Sequence, residues 1–262
     1  MKNNKIIKQH VNNILKKGYT KIENVLNPKT CDEIKEISKK LYYNSKNKIK
    51  IKNPLEETIY NLHNKNNIFK KFIDHKSIIG IVKEVLSAGS FNNNEHIILR
   101  QSAVRNPKKG FAQQLHNDSR ISGSKNPMII QVIWLLDEFN KFNGATRVVP
   151  KSHLRNDFPK TNNKYSNEKF LTGRKGSVIL FNAAMWHGSS EKISNQERWG
   201  MIFSYARWFL KPSFDFNKNT PLKIYNKLNT YQKELLGFKF NPPKDEFTRG
   251  SARSKKPEKP II

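Results

Sequence analysis

The side chains best suited to chemistry are two histidines and one aspartate. His116 and Asp118 lie two residues apart in a strand-like stretch, so their side chains point to the same face. His187 follows a mostly apolar run over 177–186. Two imidazoles and one carboxylate bind a metal ion and leave positions open, as non-haem iron(II) oxygenases require, whereas structural zinc prefers a closed tetrahedron. The trio predicts an iron(II) site with His116, Asp118 and His187 as its ligands and catalytic residues.

Two further polar residues follow the second histidine. Arg198 lies eleven residues beyond His187, at the start of another strand-like run. Its guanidinium suits a bidentate bond to the distal carboxylate of a dicarboxylic acid. Ser189 comes two residues after His187 and offers a hydroxyl donor on the same face. We therefore expect Arg198 and Ser189 to bind an anionic cosubstrate beside the metal.

The order of predicted elements indicates what positions these residues. Residues 1–90 show helical spacing of apolar residues, whereas 95–210 consist of short β-rich runs separated by turn residues. A last helix is predicted over 222–236, and the Pro- and Lys-rich residues 242–262 predict a flexible basic tail. Many short strands after a helical block favour an antiparallel barrel or jelly roll. We interpret 1–241 as a single, mainly β domain with packing helices at its N-terminal end.

The motifs around these residues resemble those of a known family. Leu115-His116-Asn117-Asp118 is similar to L-H-x-D, residues 143–153 to N-G-x-x-x-x-x-P-G-S-H, and Trp186-His187-Gly188-Ser189 followed by Arg198 to W-H-x-S with its arginine. Over about 23–210 the chain thus resembles the phytanoyl-CoA dioxygenase (PhyH-like) group of Fe(II)/2-oxoglutarate-dependent oxygenases. The resemblance implies a double-stranded β-helix, which is a cupin-like jelly roll. It also implies Fe(II), 2-oxoglutarate and O₂ as cofactor and cosubstrates.

The resemblance also implies roles for individual residues. Trp134 and Gln101 match positions at or near the family's cosubstrate site, and His153 matches a structural position. Asp118 favours hydroxylation, because related halogenases replace this carboxylate by a small residue. Lys151 departs from the family's glycine, so either this turn needs no positive φ here or its backbone differs slightly.

The implied reaction is oxidative decarboxylation of 2-oxoglutarate to succinate and CO₂, coupled to hydroxylation of a substrate C–H bond. Arg105 and Arg147 lie near the expected mouth of the barrel and are candidate anchors for a small anionic metabolite. Two alternatives stay open. One is a nucleic-acid oxidative demethylase with the same metal chemistry, and the other is a barrel that binds a ligand without turnover.

Composition restricts the partners and the location. The chain has 49 Lys and Arg against 21 Asp and Glu, a net charge of +28. This charge suits an anionic partner, but Lys, Asn and Ile are frequent throughout, as expected of compositional bias. The basic segments 46–52 and 255–259 contain no aromatic residues, which makes nucleic acid an unlikely partner. The single cysteine, and the lack of a long apolar run or signal peptide, predict a soluble cytoplasmic protein without an internal disulfide.

Overall fold

The computed structural model describes residues 2–45, 58–123, 125–243, 245–248 and 257–260. Within these residues, ten strands form two sheets in which every neighbouring pair is antiparallel. The inner faces of the two sheets share one apolar cluster that includes Ile133, Phe181 and Val148. The predicted jelly roll is confirmed.

The larger sheet has six strands and the smaller sheet has four. The strands of the larger sheet are β1 (Tyr19–Ile22), β2 (Thr58–Tyr60), β3 (Ile97–Arg105), β5 (Ile129–Leu135), β8 (Val178–Asn182) and β10 (Gly200–Arg207), in the order β1-β8-β5-β10-β3-β2. The strands of the smaller sheet are β4 (Gln113–His116), β6 (Thr146–Val148), β7 (Lys169–Leu171) and β9 (His187–Ser189), in the order β4-β9-β6-β7.

Three helices cover the outer face of the larger sheet: α1 (Lys2–Lys17), α2 (Pro28–Ser45) and α3 (Lys76–Ser87). In β5, Val132 and Trp134 pack under the helices, while Ile133 and Leu135 point into the barrel. A strand that is buried on both faces reads as a continuous apolar run, which is what this stretch shows. Each such side chain contributes about 1.5–3 kcal/mol when fully buried, so the helices and the barrel stabilise one another.

The N-terminal block is not purely helical, as 1–90 was predicted to be. It supplies β1 and β2, which form the two edges of the larger sheet. Gly18, with φ of +96°, ends α1, and β1 then pairs with β8 so that Tyr19 lies opposite Phe181. Runs of three or four residues are too short for hydrophobic periodicity to separate strand from helix.

The single helix predicted over 222–236 is two helices. After the short α4 (Phe216–Asn219) come α5 (Leu222–Tyr225) and α6 (Thr230–Leu235). Asn229 begins α6 because its side chain accepts a hydrogen bond from the Gln232 main-chain N–H at 2.8 Å, and Gln232 Oε1 accepts one from the Asn229 N–H at 3.2 Å. This capping box starts a new helix where apolar spacing alone predicts a continuous one.

The tail over 242–262 is described only in part. In its described portion, the Glu258 N–H donates to the Phe238 carbonyl at 2.8 Å, and the Tyr225 hydroxyl donates to the Pro257 carbonyl at 3.4 Å. Residues 257–260 therefore lie against the domain. The basic segment 46–52 lies outside the described residues, as does most of the predicted flexible stretch.

None of the described helices combines the length and the apolar character needed to cross a bilayer. The cytoplasmic location stays a prediction.

Lys151 occupies a left-handed turn, with φ of +66°. The turn therefore keeps a positive φ although Gly is replaced, which corrects the expectation that it would either need no positive φ or differ in its backbone. We predict that Lys151→Gly raises the free energy of unfolding by about 0.5–1 kcal/mol, because the left-handed conformation costs other residues about 1–2 kcal/mol and glycine's greater unfolded-state entropy offsets part of this. Urea denaturation measures the change. Lys151→Ala is the matched control, since it keeps a Cβ; an equal gain in both variants would contradict the explanation.

Candidate active site

The three predicted metal ligands meet where β4 and β9 pair. His116 lies directly opposite His187 in the antiparallel register, and the centroids of their rings are 4.3 Å apart. Asp118 follows β4 and is held by its main-chain N–H, which donates to the Ala183 carbonyl at 2.9 Å. Asp118 Oδ1 is 3.4 Å from His116 Nε2, and Oδ2 is 3.3 Å from His187 Nε2. One ligand atom from each residue lies within 4.8 Å of the others.

Main-chain carbonyls set the tautomers of both histidines. His116 Nδ1 is 3.0 Å from the Gln114 carbonyl oxygen, and His187 Nδ1 is 2.8 Å from that of Met185. Because a carbonyl only accepts, each Nδ1 carries the hydrogen, and each Nε2 presents a lone pair toward Asp118. This arrangement of donor atoms fits a divalent transition metal, whose histidine ligands are usually fixed in this way.

The electrostatics of Asp118 agree with that fit. Burial alone would raise the pKa of its carboxyl, but His187 and His116 outweigh burial and hold the pKa well below its usual range. Burial alone would likewise lower the pKa of His116, but Asp118 and the Gln114 carbonyl raise it. The site therefore keeps an ionised carboxylate between two imidazoles, an environment that favours a cation.

A cavity of about 170 Å³ opens in front of the trio. This volume is enough for several waters, so the enclosed part suits a small ligand. Both sheets contribute polar side chains to its wall: Thr58, Tyr60, Gln101, Arg105, Gln131 and Thr146.

Ser189 and Gln101, two of the residues predicted to bind the cosubstrate, lie on different sheets. Ser189 is opposite Thr146 on the inner face of the smaller sheet, and its buried hydroxyl has no hydrogen-bond partner among the described residues. Gln101 lines the cavity from β3. An unpaired buried hydroxyl beside the ligand trio fits a bound polar group.

Arg198 is buried just before β10 and does not line the cavity. Its Nε donates to the Asn143 carbonyl at 3.4 Å, its Nη2 donates to the Gly144 carbonyl, and its guanidinium lies 4.4 Å from the centroid of the Phe139 ring. Burial, and to a smaller extent the charge of Arg105, lower the pKa of Arg198 to about 9. Two of its five N–H groups are thus used by the main chain, and the side chain stays charged at neutral pH.

Comparison with known proteins agrees with this geometry. The family model for phytanoyl-CoA dioxygenase (PhyH) matches residues 14–200, and this stretch contains every ligand and motif described above. The chain belongs to the PhyH family. It is 23% identical over 171 residues to the uncharacterized protein Rv1501 of Mycobacterium tuberculosis, covering 65% of this chain and 63% of that protein. It is 26% identical over 137 residues to dioxygenase cdmA of Talaromyces verruculosus, covering 49% and 45%.

Solved structures support the same fold. HygX from Streptomyces hygroscopicus with nickel and 2-oxoglutarate bound superimposes with a TM-score of 0.64 at 15% identity, covering 78% of this chain and 88% of that one. Its complex that also contains hygromycin B gives a TM-score of 0.63 at 15% identity, with the same coverage. The chain spans less than two thirds of the length of the curated relatives above, with 63% and 45% aligned.

Trp134 does not occupy the position inferred from the PhyH resemblance. Its neighbours Ile133 and Gln131 face the cavity, so Trp134 points to the opposite face of β5. There its ring packs 4.9 Å from Phe72 and 4.9 Å from His75, centroid to centroid. The structure corrects the prediction: Trp134 belongs to the core under the helices.

Of the two candidate substrate anchors, Arg105 faces the cavity and Arg147 does not. Arg147 lies opposite Gly188 on the outer face of the smaller sheet and forms a salt bridge with Glu168 at 2.8 Å; the prediction that it lies at the mouth is wrong. Arg105 lines the cavity, and among the described residues no hydrogen bond or salt bridge engages its guanidinium. Burial lowers the pKa of Arg105, while Tyr60 and Asp118 act in the opposite direction.

His153, which the family resemblance places outside the ligand set, lies 3.1 Å from the Leu15 carbonyl through Nε2. It is outside the trio.

Sequence reasoning missed several residues of the cavity wall. Thr58 and Tyr60 lie on β2, whose brief sequence carries no motif. Gln131 did carry a signal, because it is the one polar residue in the run Ile129–Leu135. A polar side chain inside an otherwise apolar buried strand needs a partner, and here that partner is Asp118, at 2.8 Å.

Gly144 allows the main chain to approach Arg198. A Cβ on Gly144 would lie 3.3 Å from Arg198 Nη2, and the residue has φ of +85°. Gly110 has a similar φ of +80° but no atom within 4 Å of such a Cβ. We predict that Gly144→Ala lowers the free energy of unfolding by more than Gly110→Ala does. In both variants the left-handed backbone conformation costs alanine about 1–2 kcal/mol, but only the new Cβ at residue 144 also displaces Arg198. Urea denaturation of both variants tests this; equal losses would argue against a restrictive contact.

Proposed function

We propose that this protein is an Fe(II)- and 2-oxoglutarate-dependent dioxygenase that hydroxylates a C–H bond of a small anionic metabolite. The observation that carries the proposal is the trio His116, Asp118 and His187, whose Nε2 lone pairs converge on a carboxylate inside the segment matched by the PhyH family. The names of the relatives and the ligands of HygX point the same way.

The overall reaction balances with the metal unchanged. One atom of O₂ enters the substrate as hydroxyl and the other enters succinate, while 2-oxoglutarate loses CO₂. Bound iron(II) would supply the redox chemistry that activates O₂, and the trio would hold it with positions left open. The protein's residues bind and orient the two organic molecules and keep water from the reacting carbon.

We assign the distal carboxylate of 2-oxoglutarate to Arg198 and Ser189, with Gln101 on the opposite wall. Arg198 and Ser189 both adjoin the cavity from behind its wall. Ser189 lies opposite the lining residue Thr146, and Arg198 binds the carbonyl of residue 144, two residues before it. Arg198 has three N–H groups beyond those used by Asn143 and Gly144, and the Ser189 hydroxyl is unpaired. We assign the anionic group of the substrate to Arg105, which lines the cavity without a partner among the described residues.

The charge of the site supports an anionic substrate. With iron(II), Asp118, Arg105, Arg198 and doubly negative 2-oxoglutarate in place, one positive charge is left over. Buried charge is costly unless it is balanced, so a substrate with one negative charge suits the site better than a neutral one.

Anaerobic titration with Fe(II) and 2-oxoglutarate tests the proposed function. We predict a weak visible metal-to-ligand charge-transfer band in the wild type, followed by succinate when O₂ is admitted. His116→Ala should lose both, because it removes one of three ligands, and should keep the wild-type circular dichroism spectrum. A wild-type protein without the band would refute the oxygenase. A band without succinate, with or without added metabolites, would favour the non-catalytic barrel; methylated single-stranded oligonucleotides in the metabolite panel test the demethylase.

The two arginine assignments make opposite predictions. Arg198→Ala should raise the Kd for 2-oxoglutarate by about 10- to 100-fold, because it removes a hydrogen bond to a charged group. The Kd is measured from the same charge-transfer band. Arg105→Ala should leave that Kd within about twofold and instead weaken stimulation of succinate release by anionic substrates. Arg147→Ala is the matched control on the outer face and should retain the wild-type Kd. If the Kd for 2-oxoglutarate rose in Arg105→Ala but not in Arg198→Ala, the two assignments would be reversed.

A further inference from the structure

Gln131 lies at the centre of β5 and is 7% exposed. Its side chain lines the metal cavity, and its Nε2 donates to Asp118 Oδ2 at 2.8 Å. An ionised carboxylate only accepts hydrogen bonds, so the amide must turn its NH₂ group toward Asp118. This requirement fixes the orientation of the amide by chemistry and directs Oε1 away from the carboxylate.

Gln131 Oε1 is buried and has no hydrogen-bond partner among the described residues. Leaving a buried acceptor unpaired is costly, so a donor is expected beside it. Doubly ionised 2-oxoglutarate carries neither O–H nor N–H and offers only acceptors. The cosubstrate therefore cannot satisfy this oxygen, whereas a hydroxyl group of a second molecule in the cavity can.

Ser204 adds a second polar group at the same level. It lies directly opposite Gln131 in the pairing of β10 with β5, and its buried hydroxyl is also unpaired. Directly opposed side chains on one face have Cβ atoms about 4.5–5.5 Å apart. A single hydroxyl group placed near both can donate to Gln131 Oε1 and also meet the Ser204 hydroxyl.

We propose that Gln131 is a positioning residue that links the substrate to the metal carboxylate. Its NH₂ group donates to Asp118 Oδ2 and so would disfavour binding of the metal through both carboxylate oxygens. Its Oε1 accepts a hydrogen bond from a hydroxyl group of the substrate. The inference rests on the proposed function, and together with Arg105 it defines the substrate class as a small hydroxy acid.

Metal binding tests the first half of the inference. Gln131→Met keeps the length of the side chain and removes the donor. We expect this variant to raise the Kd for Fe(II) by about 10- to 100-fold, the usual effect of losing a partner of a metal ligand. We also expect Gln131→Met to shift the charge-transfer band of the Fe(II)–2-oxoglutarate complex, because the carboxylate is free to bind through both oxygens.

The control is Ile130→Met on the same strand, which introduces methionine on the helix-facing side; it should keep the wild-type Kd and band. Thermal unfolding of the metal-free variants shows that each is folded. A wild-type protein without a band refutes the proposed function. A wild-type band with unchanged Kd and spectrum in Gln131→Met overturns the inference alone.

Matched acids test the second half. Succinate release under O₂ is compared for butyrate against 3-hydroxybutyrate and for propionate against 3-hydroxypropionate. In the wild type we expect the acid with the donor to stimulate release about fivefold more than its partner, the effect of one hydrogen bond, and we expect Gln131→Met to lose this preference. Equal release within both pairs, or a preference that survives in Gln131→Met, overturns the assignment of Oε1 to the substrate.

Discussion

The pairing of β4 with β9 places His116 directly across from His187, and the ligand trio depends on this register. The two strands approach closely because residue 188 is glycine; a Cβ there would lie 2.4 Å from the Gln113 carbonyl oxygen. The hydrogen bond from the Asp118 N–H to the Ala183 carbonyl ties the third ligand to the segment that leads into β9. A shift of one residue in this pairing would turn one histidine out of the cavity.

The larger sheet supplies the rigid wall opposite the ligands. Its central strands β5, β8 and β10 are buried on both faces, with the helices on one side and the barrel interior on the other. On either side of Gln131 in the same strand, Ile130 and Val132 pack under the helices on the outer face. Packing of this kind limits the rotamers of the side chains that touch the site, which is how a fold preorganises a reaction centre.

The sequence was sufficient for His116 and Asp118 because they depend on local spacing, whereas His187 and the β-helix followed from motifs shared with the PhyH family. His-x-Asp in a strand puts two side chains on one face whatever the rest of the chain does. The faces of Trp134 and Arg147 depended on information that spacing does not contain. Trp134 lies in a strand that is apolar on both faces, so the sequence fits a side chain on the inner face as well as one on the outer face. Arg147 turns outward because β6 pairs with β9 in a register that places it opposite Gly188, and registers between distant segments cannot be read from one sequence.

The two short edge strands have a consequence for assembly. Tyr19 of β1 pairs with Phe181 of β8, and Thr58 of β2 pairs with Arg105 of β3. The N-terminal segment thus covers both flanks of the larger sheet, where exposed N–H and C=O groups would otherwise recruit strands of other molecules. During synthesis β1 is made early but can pair only after β8 has been made. Pairing between segments that are distant in sequence slows folding. Because β1 and β2 are short, they offer few main-chain groups to a strand of another molecule, and the β1 edge forms only after most of the barrel has been made.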